Sequence, residues 1–163
     1  MPTLTSATVA NYAVLNPLDI TNTTKPTNGN LTYSPSSTSP QVSISTIGIP
    51  SSGNWYAEFT KSSSTSNWSA GIIGPGRTDT YTGSTNSIGY FDTGQIYKDG
   101  TLIQSSLSTL ASGDVLGVAV NSVSQTVQFY KNGSTVGTAI SYTYSQVWFA
   151  CGCLLYTSDA ADE

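Results

Sequence analysis

Histidine is absent from this sequence, and charged residues make up only 9% of its 163 residues. Histidine is the side chain most often used as a general base and as a metal ligand, so its absence removes the commonest route to either kind of site. Two cysteines, Cys151 and Cys153, are too few for a disulfide framework or a four-cysteine zinc site. We therefore expect no metal and no cofactor.

Long apolar runs and basic clusters are also missing. No apolar run approaches the roughly 20 residues that a transmembrane helix needs, and the N-terminus, MPTLTSATVANYAVL, lacks the basic and apolar regions of a secretory signal peptide. The formal net charge is −4, but three of the nine acidic residues lie in 159–163. The rest of the chain is nearly neutral and has no basic patch, which argues against nucleic acid as a partner. We expect no membrane partner either.

Short runs of strand-forming residues fill the chain instead, separated by turns rich in Pro, Gly, Ser, Thr and Asn. Runs at intervals of about ten residues, without a sustained helical period, are typical of a β-sandwich. The sequence therefore predicts an all-β domain with two antiparallel sheets. NLTYS (30–34) and VWFAC (147–151) are among the predicted strands. The aromatic residues predicted to lie in the core are Trp55, Phe59, Phe129 and Trp148.

Two similar stretches, QIYKDGTLIQ and QFYKNGSTVG, each predict a β-hairpin. Asp-Gly and Asn-Gly adopt positive φ angles at little steric cost, as a two-residue type I′ turn requires. Lys98 and Lys131 stand at the strand ends beside these turns, where we expect their ammonium groups to remain in solvent. This repeat indicates two hairpins rather than a duplicated ligand site.

The last eleven residues, CLLYTSDAADE (153–163), differ in texture from the rest of the chain. They resemble the translation of a transposase mosaic-end adapter used in sequencing libraries. Our hypothesis is a lead-in at 1–10, one domain at 11–152 that is truncated at its C-terminus, and an adapter-derived artefact at 153–163. Cys151 is then the one natural cysteine, and it is expected to act as a small buried hydrophobic residue.

Several motifs in order resemble a SPRY domain, a concanavalin-A-like antiparallel sandwich. These are GDVLGVAVNSVSQTVQFYKNGSTVGTAI (113–140), SGNWYAEFT (52–60), WSAGIIG (68–74) and SIGYFDTGQIYKDGT (87–101). The family usually closes with one more strand of Val-Thr-x-Asn-Phe-Gly type, which is missing here. The resemblance thus implies a SPRY-like sandwich that lacks its closing strand and has an exposed sheet edge.

The N-terminal region NPLDITNTTKPTNGNLTYS (16–34) resembles copies of this domain in phage particle proteins. This implies a non-catalytic recognition or adhesion module of a phage virion or tail protein, located on the virion or at an extracellular surface. Its partner would be a host-surface glycan or protein, or another virion protein. The parent protein would set the oligomeric state, and many copies on one particle would supply the affinity.

The loop GPGRTDTYTG is the predicted binding site. The guanidinium of Arg77 donates hydrogen bonds, the carboxylate of Asp79 accepts them, and the ring of Tyr81 is amphipathic. These groups suit a sugar or a short peptide. Trp68 and Tyr90 flank this loop in sequence, and in SPRY domains the corresponding loops rim the binding surface. The alternative is that Arg77 and Asp79 pair with each other, and that the ring of Trp68 lies in the core.

Two other functions stay open. Glu58 is the one internal glutamate, and a glycan-active enzyme would need a second carboxylate at a distance of roughly 5–9.5 Å from it. Asp92 and Asp114 are the available partners, although no paired-acid motif is present. The third possibility is a purely structural repeat of a fibre or stalk.

Overall fold

The computed structural model describes residues 13–19, 24–34, 41–62, 67–77 and 81–153. These residues form strands and turns, without a helix among them. The ten strands are β1 (Gln41–Ile44), β2 (Asn54–Thr60), β3 (Trp68–Ile73), β4 (Ser87–Phe91), β5 (Gln95–Lys98), β6 (Thr101–Gln104), β7 (Val115–Asn121), β8 (Thr126–Lys131), β9 (Ser134–Ser141) and β10 (Trp148–Cys153).

The strands form two antiparallel sheets that pack face to face. One sheet has six strands in the order β1-β10-β3-β4-β5-β6, and the other has four in the order β2-β7-β8-β9. The main hydrophobic core lies between them and takes residues from both sheets. The predicted all-β antiparallel sandwich is therefore confirmed.

Both hairpin turns have the predicted geometry. Asp99 and Gly100 have φ angles of 50° and 79°, and Asn132 and Gly133 have φ angles of 48° and 80°. Positive φ at both central positions is the mark of a type I′ turn, whose twist matches that of the flanking strands. The repeated Lys-Asp/Asn-Gly motif thus folds the chain.

The lysines beside these turns make contacts that the sequence did not predict. Lys98 Nζ donates to Ser141 O at 2.8 Å, and Lys131 Nζ donates to Thr109 O at 2.8 Å. Both hydrogen bonds are exposed to solvent, so each ammonium group keeps access to water while it ties its hairpin to another segment of the chain.

Two glycines let backbone atoms of other segments approach the middle strands of the larger sheet closely. Gly71 and Gly89 lie opposite each other in the β3–β4 ladder. A Cβ atom on Gly71 would lie 2.0 Å from Ile88 O, and one on Gly89 would lie 2.2 Å from Thr82 O. The loop after β3 can therefore return across the outer face of β4 only because Gly89 has no side chain.

The main core contains two of the four aromatic residues assigned to it, Phe129 and in part Phe59, whereas Trp148 packs in a separate small cluster with Val42, Ile73 and Ala150. Phe129 is fully buried and its ring centroid lies 5.5 Å from that of Tyr90. Phe59 is partly buried against the same core. Trp55 is 40% exposed, so its assignment to the core is wrong. Its strand is an edge strand, and its indole Nε1 donates to Ser52 O at 2.9 Å instead.

Cys151 is buried in β10, as expected of a small hydrophobic residue. Burial raises the pKa of its thiol to about 12, because the thiolate would lose its hydration. The backbone of β10 continues to Cys153, which pairs with Gln41 and Trp68 in the two neighbouring strands.

The N-terminal segment, described at 13–19 and 24–34, follows the outer side of β1. Asn16 N donates to Ile44 O and Thr46 N donates to Val14 O, both at 2.7 Å. The predicted strand at 30–34 forms only a bridge between Thr27 and Thr32. A tight turn, with positive φ at residues 28–30, replaces the extended backbone there.

A buried ion pair joins the two sheets near the end of β2. Lys61 Nζ lies 2.6 Å from Asp92 Oδ2, and the two side chains are 5% and 3% exposed. The lysine also donates to Leu110 O at 3.2 Å, and the second carboxylate oxygen accepts from Asn67 N at 3.1 Å. One pair thereby connects β2, the turn after β4 and the segment before β7.

We expect Lys61→Met to lower the free energy of unfolding by about 3–5 kcal/mol, because Asp92 keeps a buried charge without its counter-ion. In the double variant Lys61→Met, Asp92→Asn the charge is gone while an acceptor for Asn67 N remains. We expect the double variant to be more stable than Lys61→Met alone. Urea unfolding of the parent, the two single variants and the double variant measures these free energies. A double variant whose loss of stability equals the sum of the two single losses would contradict this expectation.

Asp114 holds the β8–β9 hairpin against the segment before β7. Its carboxylate accepts from Asn132 Nδ2 and Ala111 N at 2.8 Å, and Lys131 Nζ lies 3.0 Å away. These hydrogen bonds, first that of Asn132, lower the pKa of Asp114 to about 2. The carboxylate therefore stabilises the folded state when it is ionised.

The folded-state pKa of Asp114 lies below its unfolded value, so its contribution is present above about pH 4 and is lost as the pH falls toward about 2. We expect Asp114→Asn to be less stable than the parent at pH 7, with a difference that shrinks across this acidic window. Urea unfolding at a series of pH values measures it. A difference that does not change with pH would contradict the account.

Candidate functional site

Strand β2 is an edge strand whose ladder to β7 is regular. The ladder is flanked by hydrogen bonds from Ser122 N to Gly53 O and from Lys61 N to Asp114 O, each at 3.0 Å. Hydrogen-bonded pairs alternate with non-hydrogen-bonded pairs in an antiparallel ladder. The odd-numbered residues of β2 therefore direct their backbone groups at β7.

The even-numbered residues of β2 direct their backbone groups away from β7. Tyr56, Glu58 and Thr60 point their N–H and C=O groups away from β7, and within the described ranges no strand pairs with this side of β2. An unpaired row of this kind can pair with another extended chain. We call this row the open edge of β2.

A cleft of about 440 Å³ runs along the open edge. One wall is residues 57–60 of β2, and the other is formed by residues 13–15 and 30–34 of the N-terminal segment. Trp68, Phe149 and Cys151 lie at its base. Its volume falls in the range of about 300–1,000 Å³ that is usual for ligand sites.

Trp68 is the one residue of the predicted site that lines this cleft. Its ring is partly buried and packs against the main core. The indole therefore packs against the core beside the cleft, and ligand binding by Trp68 stays a prediction.

Arg77 is engaged with a distant residue. Its Nη2 donates to both carboxylate oxygens of Asp19, at 2.7 and 2.8 Å, and the Asp19 side chain is only 4% exposed. This pair ties the loop after β3 to the N-terminal segment. Asp79, the predicted neighbour of Arg77 in the site, lies outside the described residues.

Tyr81 is partly buried in an aromatic cluster on the outer face of the larger sheet. Its ring centroid lies 5.7 Å from that of Phe91 and 6.4 Å from that of Tyr97, with the rings nearly perpendicular in both contacts. These contacts hold the loop against the sheet. Ligand binding by Arg77, Asp79 and Tyr81 stays a prediction.

Tyr90 is corrected by the structure. Its side chain is fully buried in the core, and its hydroxyl donates to Ser108 O. Burial raises the pKa of this hydroxyl to about 12. Alternation along β4 decides this placement, because the even-numbered residues of the strand face the sandwich interior, and Tyr90 therefore lies outside any ligand site.

The outer face of β2 has a separate polar and aromatic cluster. Tyr56 is 50% exposed, and its hydroxyl donates to Glu58 Oε1 at 3.0 Å. Its ring lies over Gly117 and meets Tyr130 edge to face at 6.3 Å. Partial burial, and then the hydrogen bond to Glu58, raise the pKa of Tyr56.

Sequence reasoning missed most of the residues around the cleft. Leu31 is 71% exposed at its rim, and Phe59 contributes to the wall. The nearest signal was the predicted absence of a closing strand, which stays a prediction and did not indicate which sheet edge would be exposed. The opposite wall comes from the N-terminal segment, whose position depends on contacts distant in sequence.

Comparison with known proteins identifies the family. The SPRY domain profile matches residues 46–156, which is more than half of the chain. The chain belongs to the SPRY domain family. SPRY domains are typically protein-interaction modules, which fits a non-catalytic binding role. The matched range extends beyond residue 152, and the boundary placed there stays a prediction.

A solved structure supports the same fold. The SPRY domain of human HERC1 superimposes with a TM-score of 0.63 at 16% identity, over 71% of this chain and 76% of that one. No curated protein matches the sequence significantly. No helix that could span a membrane occurs in the part of the chain that the structure describes.

Proposed function

We propose that this SPRY domain is a non-catalytic recognition module that binds a protein partner in the cleft beside β2. The observation that carries the proposal is the combination of an open strand edge with an adjoining cleft of about 440 Å³. The edge offers regularly spaced hydrogen-bonding groups, and Trp68, Phe149 and Cys151 offer an apolar base. Together they suit a polypeptide, whose backbone and side chains repeat at the same spacing.

The contacts of the carboxylates favour binding over catalysis. Glu58 accepts a hydrogen bond from Tyr56, while Asp92 is held by Lys61 and Asp114 by Lys131 and Asn132. Neither aspartate is therefore available as the partner that a glycan-cleaving mechanism would require of Glu58.

We further propose that the parent protein is a phage virion or tail protein, and that the domain attaches it to a host-surface protein or glycan or to another virion protein. This part rests on the resemblance of residues 16–34 to phage particle proteins. The loop of Arg77, Asp79 and Tyr81 would be a second contact region on such a partner. Weak single contacts would be strengthened by many copies on one particle.

Peptides selected from a random dodecamer library on the immobilised domain should bind in the cleft. Leu31→Asp places a charge at the apolar rim and should weaken such peptides at least about tenfold, or ~1.4 kcal/mol. Val123→Asp is the matched control, because Val123 is 77% exposed in the β7–β8 turn and does not line the cleft. Fluorescence anisotropy with labelled peptides measures both.

A result in which no peptide is selected, or in which both variants bind equally well, would overturn the proposed cleft. Selection of no peptide at all is also the result expected of a purely structural stalk repeat. Thermal unfolding of both variants checks that a loss of binding does not come from a loss of folding.

The virion context is tested by sequencing the DNA on both sides of the coding region from its source sample. We expect capsid or tail genes beside it, and a reading frame that continues after codon 152 into a strand of Asn-Phe-Gly type. Neighbouring genes unrelated to phage particles would contradict the virion proposal. A frame that encodes CLLYTSDAADE before a stop codon would contradict the adapter hypothesis.

A further inference from the structure

We propose that Asn28 is a modification site, at which the side-chain amide is lost spontaneously through attack by the backbone nitrogen of Gly29. The reaction needs no enzyme and no partner protein, so it goes beyond the proposed function. It places a carboxylate in the turn that leads into residues 30–34, which form one wall of the cleft.

The Asn-Gly sequence supplies the reacting groups. The Gly29 nitrogen loses its proton and attacks Cγ of Asn28; a C–N bond forms, the bond from Cγ to Nδ2 breaks, and ammonia leaves. Water then opens the resulting five-membered succinimide at either carbonyl, which gives aspartate or iso-aspartate at residue 28. Glycine has no side chain to obstruct this ring, and a Cβ atom on Gly29 would meet nothing within 4 Å beyond its chain neighbours among the described residues.

The turn that holds Asn28 is exposed and weakly braced. Thr27 and Thr32 form an isolated bridge outside the named strands, closed by backbone hydrogen bonds of 2.9 and 3.1 Å. Asn28 Nδ2 donates to Thr32 Oγ1 at 3.0 Å, and this hydrogen bond is exposed to solvent. Since exposed hydrogen bonds at such a short bridge open easily, the Asn28 side chain can reach the geometry for ring closure without unfolding the domain.

The second Asn-Gly sequence, Asn132 and Gly133, provides a comparison within the same chain. Both asparagines are exposed and both have positive φ, so neither exposure nor backbone conformation separates the two sites. The amide of Asn132, however, is held at both atoms. Its Oδ1 accepts from Val115 N at 2.8 Å, and its Nδ2 donates to Asp114 Oδ1 at 2.8 Å.

The contacts of Asn132 are also the stronger ones. A hydrogen bond to a carboxylate is stronger than one to a hydroxyl, and Asn132 N adds a backbone bond to Val115 O at 2.9 Å. The turn lies between the paired strands β8 and β9, whose ladder must open before the asparagine can rotate. We therefore expect the folded domain to protect Asn132 and to leave Asn28 reactive.

The modification changes the wall of the cleft in two ways. Asn30, Leu31 and Thr32 line the cleft, and Leu31 is 71% exposed at its rim. A carboxylate at residue 28 adds a negative charge beside this apolar rim, and iso-aspartate also adds one methylene to the backbone of the turn. Under the proposed function, both products should weaken the binding of peptides with apolar side chains.

Peptide mass mapping of the full chain during incubation at mildly alkaline pH tests the site, because attack by the Gly29 nitrogen becomes faster as the pH rises. Conversion is followed at Asn28 and at Asn132, in the folded protein and in the same protein unfolded in urea. In urea both sites should convert at similar rates, because glycine follows each asparagine. In the folded protein we expect Asn28 to convert at least about tenfold faster than Asn132.

Two variants test the physical reason for this difference. Asp114→Ala removes the acceptor of Asn132 Nδ2 and should speed conversion at Asn132 without changing it at Asn28. Asn28→Gln is the matched control, since closure through a glutamine side chain requires a six-membered ring, and we expect no conversion at residue 28 over the same period. If Asp114→Ala fails to fold by circular dichroism, the comparison of folded and unfolded parent protein decides.

Two outcomes would overturn the proposal. Equal conversion of Asn28 and Asn132 in the folded protein would show that their different hydrogen bonds do not control the reaction. Conversion of both sites in urea but of neither in the folded protein would show that the turn at Asn28 is protected as well.

The effect on the cleft is tested separately, because it rests on the proposed function. After complete conversion the parent should bind the selected library peptides at least about threefold more weakly than Asn28→Gln treated in the same way. Equal binding would overturn the effect on the cleft. If no library peptide is selected, the proposed function fails, while the mass mapping still decides whether Asn28 is the modification site.

Discussion

The buried ion pair of Lys61 and Asp92 is the contact on which the geometry of the cleft depends. It lies directly after β2, and it joins the end of that strand to the turn after β4 in the opposite sheet. Two charges with almost no access to water tolerate little displacement, because separation would leave each of them buried and unpaired. The end of β2 is therefore held close to the larger sheet, although the part of the chain that the structure describes gives β2 a neighbouring strand on one side only. The ion pair thus anchors the C-terminal end of β2, whose residues 57–60 form one wall of the cleft.

The backbone groups of the edge strands find partners in different ways on the two flanks of the sandwich. On one flank, the Gln104 side chain at the end of β6 donates to Thr138 O at 3.0 Å and accepts from Thr138 N at 2.9 Å, so one amide side chain bridges the edges of β6 and β9. Lys98 adds a bond to Ser141 O on the same flank. On the other flank the N-terminal segment covers β1 but leaves the edge of β2 without a described partner. Among the described residues, the second flank combines a strand edge without a partner and an adjoining cleft, and the proposed recognition site is placed there for that reason.

Local patterns predicted the strands and hairpins well, because alternation and the Asp-Gly and Asn-Gly turns are properties of neighbouring residues. They placed Trp55 wrongly, since the same alternation describes a central and an edge strand, and only the absence of a neighbour exposes the ring. The pairing of Arg77 with Asp19 joins residues 58 positions apart and has no local signal. Tyr90 was assigned to the site through its nearness in sequence to the loop, whereas the face of β4 that it occupies decides its burial. Family resemblance supplied the fold and the expectation of an open edge, but not the wall that the N-terminal segment adds.

The central claim is that β2 pairs with β7 on one side and that its other edge has no neighbouring strand among the described residues. Amide hydrogen exchange of the free protein, resolved by residue with NMR, tests it most directly. The account predicts alternation along the strand, with slow exchange at Trp55, Ala57 and Phe59, whose N–H groups bond to β7, and fast exchange at Tyr56, Glu58 and Thr60. Slow exchange at all six positions would show that the edge is already paired, and it would contradict the account.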